Sequence, residues 1–237
     1  MLEINALSLG YKDGPPLVVD INAKGHGGEL IALVGRNGSG KSTLLRSLAG
    51  LVRPRAGQIL VDGEDIFAMS SSARARKVAY VSTEAVRVAH LRVWDVVAMG
   101  RAPYMGWSGA LSPGDTKAVE QALDQVQMSS FAKVPLMRLS DGERQRVMVA
   151  RAMAQETPMV LLDEPTAFLD LPNRMSTTKL LYHLAHKTGK MILFSTHELH
   201  LAMELSDLLW IIAQGVLHTG TPHSFEGSEA LDKVMNG

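Results

Sequence analysis

The chain has 237 residues, enough for one large domain or two small ones, and 46% of them are apolar and 20% charged. Lys+Arg and Asp+Glu each number 24, a balance that argues against a general nucleic-acid binder, which carries a basic excess. There is no cysteine, which excludes a disulfide scaffold, a thiolate metal site and a cysteine nucleophile.

Leu2, Ile4 and Leu9 alternate roughly and predict a strand over 2–9, followed by a loop over 10–16 and a second strand over 17–23. The start of the chain lacks both a basic segment and a long apolar core, so no signal peptide is expected. The apolar run Leu30–Val34 ends at Gly35 and suits a buried parallel strand. Leu44, Leu45, Leu48 and Leu51 then recur at helical spacing, with Gly50 and Pro54 as stop signals. A hairpin-like element is expected around Asp62-Gly63, and a strand over 77–82. From 82 to 135 helical stretches are broken by glycine and proline, which reads as a helical insertion. A long helix is expected over 139–155, buried strands over 159–163 and 190–196, and a hairpin over 208–219. Strands alternating with helices predict an α/β sheet. No apolar stretch approaches the roughly 18 residues that span a bilayer, so a soluble, cytosolic chain is expected.

Gly35-Arg36-Asn37-Gly38-Ser39-Gly40-Lys41-Ser42 fits a phosphate-loop pattern, between a strand and a helix as that motif requires. Glycines let backbone N–H groups surround an anion, and the helix N-terminus adds positive potential. Lys41 would supply a point charge to the β- and γ-phosphates, and the Ser42 hydroxyl a ligand to Mg²⁺. Thr43 continues this nucleotide-binding segment.

Met159–Leu162 is an apolar strand ending in Asp163 and Glu164. Ligands of such sheets bind beyond the strands' carboxyl ends, so Asp163 is expected to hold Mg²⁺ and Glu164 to take a proton from an attacking water. His197 follows the next strand and would reach a γ-phosphate. His197 and His200 are spaced i,i+3, which excludes the H-E-x-x-H zinc pattern. His183 and His186 are expected on a solvated helix face.

Leu139-Ser140-Asp141-Gly142-Glu143 reads as a capped helix start, and it also resembles the LSGGQ signature of ABC-type ATPases. The order fits that family throughout: phosphate loop, signature, Asp163-Glu164, Leu169-Asp170, then His197. The resemblance implies one P-loop NTPase domain of ABC type over 1–237, with an N-terminal antiparallel β subdomain and a helical subdomain inserted at about 84–157. It further implies a head-to-tail homodimer holding two ATP molecules. Ser140, Asp141, Gly142 and Glu143 would touch the partner chain's ATP, Leu169 and Asp170 would form the dimer contact loop, and Tyr11 would stack on adenine.

Val96-Val-Ala-Met-Gly-Arg-Ala-Pro-Tyr104 is similar to the corresponding stretch of ATPases serving bacterial iron-siderophore, haem and cobalamin importers. That likeness implies transmembrane permease subunits, an indirect cargo-binding protein, no nucleic acid, and a peripheral place on the cytoplasmic face of the cell membrane. Another importer class, a non-transport ABC ATPase and a weakly hydrolysing ATP switch are the alternatives. Two departures stand out. Asp141 replaces the first signature glycine, and Thr83 stands where the family has a glutamine contacting Mg²⁺ and water, with Glu84 adjacent. Thr83 is thus a further candidate metal contact. The stretch 83–104, with Val86, Val88, Leu91, Val93, Trp94, Val97, Met99 and Tyr104, is expected to receive a permease helix or to pack as core.

Overall fold

The computed structural model describes residues 1–10, 14–83, 90–106 and 109–231. In chain order the elements are β1 (Leu2–Gly10), β2 (Pro16–Gly25), β3 (Leu30–Gly35), α1 (Lys41–Leu48), β4 (Ala56–Val61), β5 (Glu64–Asp65), α2 (Ser71–Ala75) and β6 (Val78–Val81). There follow α3 (Val93–Ala98), α4 (Pro113–Gln125), α5 (Asp141–Ala154), β7 (Met159–Leu162), α6 (Leu171–Thr188), β8 (Met191–Thr196), α7 (Leu199–Leu205), β9 (Leu208–Ala213) and β10 (Val216–Gly220). Two sheets result: an antiparallel one ordered β2-β1-β4-β5, and one ordered β10-β9-β3-β8-β7-β6. The second is parallel from β9 to β6, with β10 added antiparallel at its edge.

β3 is buried along its whole length because both of its faces are covered. Ile31 and Leu33 face a core shared with the antiparallel sheet and with Leu44, Leu45 and Leu48 of α1. Leu30, Ala32 and Val34 face the opposite core, which includes α3, α4, α5 and α6. The two-residue period of a strand divides its side chains this way. Trp210 and Ile212 join the first core, and Leu209 and Ile211 the second.

α3, α4 and α5 lie between β6 and β7 in the chain. Gly100 lets this helical layer close up, since a Cβ there would stand 2.2 Å from the Arg151 carbonyl oxygen. Arg101 is buried, with its guanidinium 2.9 Å from Asp115 Oδ1, 2.6 Å from the Ala154 carbonyl and 2.6 Å from Glu156 Oε2. The guanidinium groups of Arg101 and Arg76 both lie over the Tyr104 ring, 4.1 and 5.2 Å from its centroid. The Gly-Arg-x-Pro stretch therefore anchors the helical layer. Of the stretch expected to receive a permease helix, Val93, Val96 and Val97 are fully buried core, Trp94 and Tyr104 are partly buried, and Met99 is 47% exposed. Glu84, Val86 and Val88 lie outside the described residues. The apolar content of α3 is thus explained by packing on its neighbours.

Candidate active site

The strands of the parallel sheet bring the motifs together through register. Val34 pairs with Thr196 and Leu162 with Phe194, so Gly35, Asp163 and His197 leave the sheet at its carboxyl edge. Gly40 caps α1 in a left-handed conformation at φ +105, a region that essentially only glycine enters. The Lys41 side chain folds back over the loop, donating to the Gly35 carbonyl at 2.7 Å and the Arg36 carbonyl at 3.2 Å. Its Nζ also lies 4.0 Å from Glu164 Oε1. Burial pushes the Lys41 ammonium below its ordinary pKa, and the Glu164 and Asp163 carboxylates oppose that.

Asp163 is buried, and each of its polar groups is held. Ser42 Oγ donates to Oδ1 at 3.0 Å and Ser195 Oγ to the same oxygen at 2.8 Å. The Tyr80 hydroxyl donates to Oδ2 at 3.2 Å. Burial raises the Tyr80 phenol above its ordinary pKa, so it stays a donor. Ser42 and Asp163 offer only hard oxygen donors, which suits Mg²⁺, a cation that takes one or two protein oxygens and fills its shell with phosphate and water. The donor set therefore fits the metal implied by the sequence. The hydroxyl of Thr83, the further candidate metal contact, donates to the Asp163 backbone carbonyl at 3.0 Å.

His197 is exposed and faces Glu198, with Nε2 3.4 Å from Oε1. Glu198 in turn pairs with Arg174 of α6. Ser140 caps α5 reciprocally with Glu143: its Oγ accepts from the Glu143 N–H at 3.3 Å, and Glu143 Oε2 accepts from the Ser140 N–H at 2.8 Å. The Ser140 contacts hold the Glu143 carboxyl below its ordinary pKa. Gly142 is buried against Asn173, and Asp141 pairs with Arg144 at 2.5 Å, so the extra carboxylate of the signature is partly neutralised. Leu169 is buried, Asp170 caps α6 by accepting from the Asn173 N–H, and Phe168 between them and Ala167 stands 87% exposed. A cleft of about 260 Å³ joins Thr83, Asp163 and Glu164 to Asp141 and Arg144 of α5 and to Phe168. Tyr11 lies outside the described residues. His183 and His186 are exposed, each with Nδ1 at the carbonyl four residues earlier.

Tyr80 and Ser195 are the site residues that motif reading misses. Their only signal is position, as polar residues near the ends of apolar strands that flank the Asp163 strand.

The profile of the ABC transporter family matches residues 18–167. The chain is 40% identical over 212 residues to the cobalamin import ATP-binding protein BtuD of Halobacterium salinarum, covering 89% of this chain and 53% of that protein. It thus spans about half the length of that relative. It is 34% identical over 235 residues to the iron(3+)-hydroxamate import ATP-binding protein FhuC of Bacillus subtilis, covering 99% and 87%. Among solved structures it is similar to the dimeric, post-hydrolysis ATP-binding cassette MJ0796 bound to ADP and Pi, with a TM-score of 0.78, 25% identity and coverage of 94% and 99%.

Proposed function

The chain belongs to the ABC transporter ATP-binding family, and from that premise we propose that it is the ATP-hydrolysing subunit of an importer for an iron complex, haem or corrinoid. The observation that carries the hydrolytic reading is the convergence of Lys41, Ser42, Asp163 and Glu164 at one sheet edge, with Ser42 and Asp163 in hydrogen-bond contact. The cargo class rests on the names of the relatives and on the 96–104 stretch.

In this reading the loop 35–40 and the α1 N-terminus wrap the phosphates, and Lys41 exchanges its two loop carbonyls for phosphate oxygens. Ser42 and Asp163 would hold Mg²⁺, which when bound would offset phosphate charge. Glu164 accepts the proton of the attacking water, and His197 turns from Glu198 toward the γ-phosphate. The N-terminus of α5, with Ser140 and Gly142, closes over the ATP of a second copy, while the 168–170 loop contacts that copy. Tyr11 is the proposed adenine platform. Permease subunits dock from the membrane side and hold the chain at the cytoplasmic face. No helix among the described residues is long and apolar enough to cross a membrane itself.

Phosphate release from MgATP tests this reading. Wild type turns over, and Glu164→Gln binds ATP but loses about 10²–10⁴-fold in rate, the worth of a placed general base. Equal rates for the two proteins would remove Glu164 from the chemistry.

A further inference from the structure

We propose that Thr83 and Ser195 clamp the Asp163–Glu164 peptide unit from its two ends and so set the direction of the Glu164 carboxylate, an inference that rests on Glu164 being the base. The carbonyl of this unit accepts from Thr83 Oγ1 at 3.0 Å, and its N–H donates to Ser195 Oγ at 2.9 Å. A peptide unit is planar, so fixing both its oxygen and its nitrogen fixes the whole plane. Glu164 adopts φ +48, a left-handed conformation that a non-glycine residue keeps only when its surroundings impose it. Without the clamp, Glu164 φ would be free to relax from that value, and a net change in φ would turn the side chain away from Lys41.

The backbone explains why Thr83 is the residue that does this. β6 and β7 run parallel, and the Asp163 N–H donates to the Val81 carbonyl at 2.9 Å. In a continued ladder the N–H of residue 83 would donate to the Asp163 carbonyl. The Thr83 hydroxyl supplies the donor there and extends the ladder by one side-chain bond. Ser195 also donates to Asp163 Oδ1 at 2.8 Å, so one hydroxyl couples the metal-site carboxylate to the backbone of the base. Thr83 is therefore a positioning residue, and its role differs from that of a metal ligand.

The test compares Thr83→Val, Thr83→Ser and Ser195→Ala in full-length protein, reading kcat and KM for ATP together with Mn²⁺ affinity by electron paramagnetic resonance. Thr83→Val keeps shape but lacks the donor. It should lower kcat by about three- to tenfold, as expected for one hydrogen bond, with KM and Mn²⁺ affinity unchanged. Thr83→Ser should restore the rate. Ser195→Ala should lower kcat and Mn²⁺ affinity together. Thr83 is exposed, so the valine variant should fold, and its thermal melt checks this. A Thr83→Val rate equal to wild type overturns the clamp, and a matching loss of Mn²⁺ affinity overturns it in favour of metal ligation. Wild type that releases no phosphate overturns the hydrolytic reading and this inference with it.

Discussion

At the scale of single residues, Asp163 is the fixed point of the site. It receives hydroxyl donors from α1, β6 and β8, so its oxygens are oriented by three elements that sequence separates widely. Removing one donor should therefore be felt at the metal. Tyr80→Phe keeps the half-buried ring and deletes only the hydroxyl, and it should weaken Mn²⁺ binding in the presence of a non-hydrolysable ATP analogue by about three- to tenfold. Unchanged Mn²⁺ affinity would show that Oδ2 needs no such support. The phosphate loop and the two carboxylates are legible in the sequence because each motif is contiguous and flanked by an apolar strand. Tyr80, Ser195 and the clamp at Thr83 are not, because they act through register between strands whose pairing no short motif encodes.

At the scale of elements, the helical layer is held by a buried ion pair. The Asp115 carboxyl is held down to about 2, first by the hydroxyl and N–H of Ser112 and then by the Arg101 guanidinium. Because that value lies below the ordinary 3.8, the stabilisation is complete above the ordinary value and is lost as pH falls toward about 2. Thermal melts across acid pH should show this, and Asp115→Asn should lower the melting temperature at neutral pH while flattening the acid limb. A variant with the wild-type acid profile would assign the limb to other carboxylates. In α5, Ser140→Ala removes a reciprocal cap and should cost about 1 kcal/mol in denaturant unfolding. The strands of the parallel sheet are legible because each is a continuous apolar run. α6 is harder to read: its buried face includes Thr177 and Thr178 beside Leu181 and Leu184, which blurs the helical period. Val93, Val96 and Val97 of α3 look like part of a docking stripe in sequence and are core, while Trp94 is partly buried and Met99 exposed; sequence does not reveal which faces α4 and α5 cover.

At the scale of the whole molecule, the described chain leaves the two proposed phosphate-contacting ends on separate elements. The phosphate loop precedes α1, while the signature opens α5 beyond a cleft lined by Thr83, Glu164 and Phe168. Phe168 and Leu171 are strongly exposed beside Asp170, an apolar pair suited to a second copy. Phe168→Ser should leave monomer stability unchanged, because the ring is already in water. It should weaken ATP-dependent self-association by about tenfold or more, the loss expected of an interface anchor, as read by analytical ultracentrifugation. In the proposed cycle two copies enclose ATP between loop and signature, and Glu164 ends this state by activating water. Light scattering on Glu164→Gln with MgATP measures it most directly. The variant should form a stable species of twice the 25.7 kDa chain mass with ATP and a single chain with ADP. A variant that binds ATP yet stays at one chain mass would contradict this cycle.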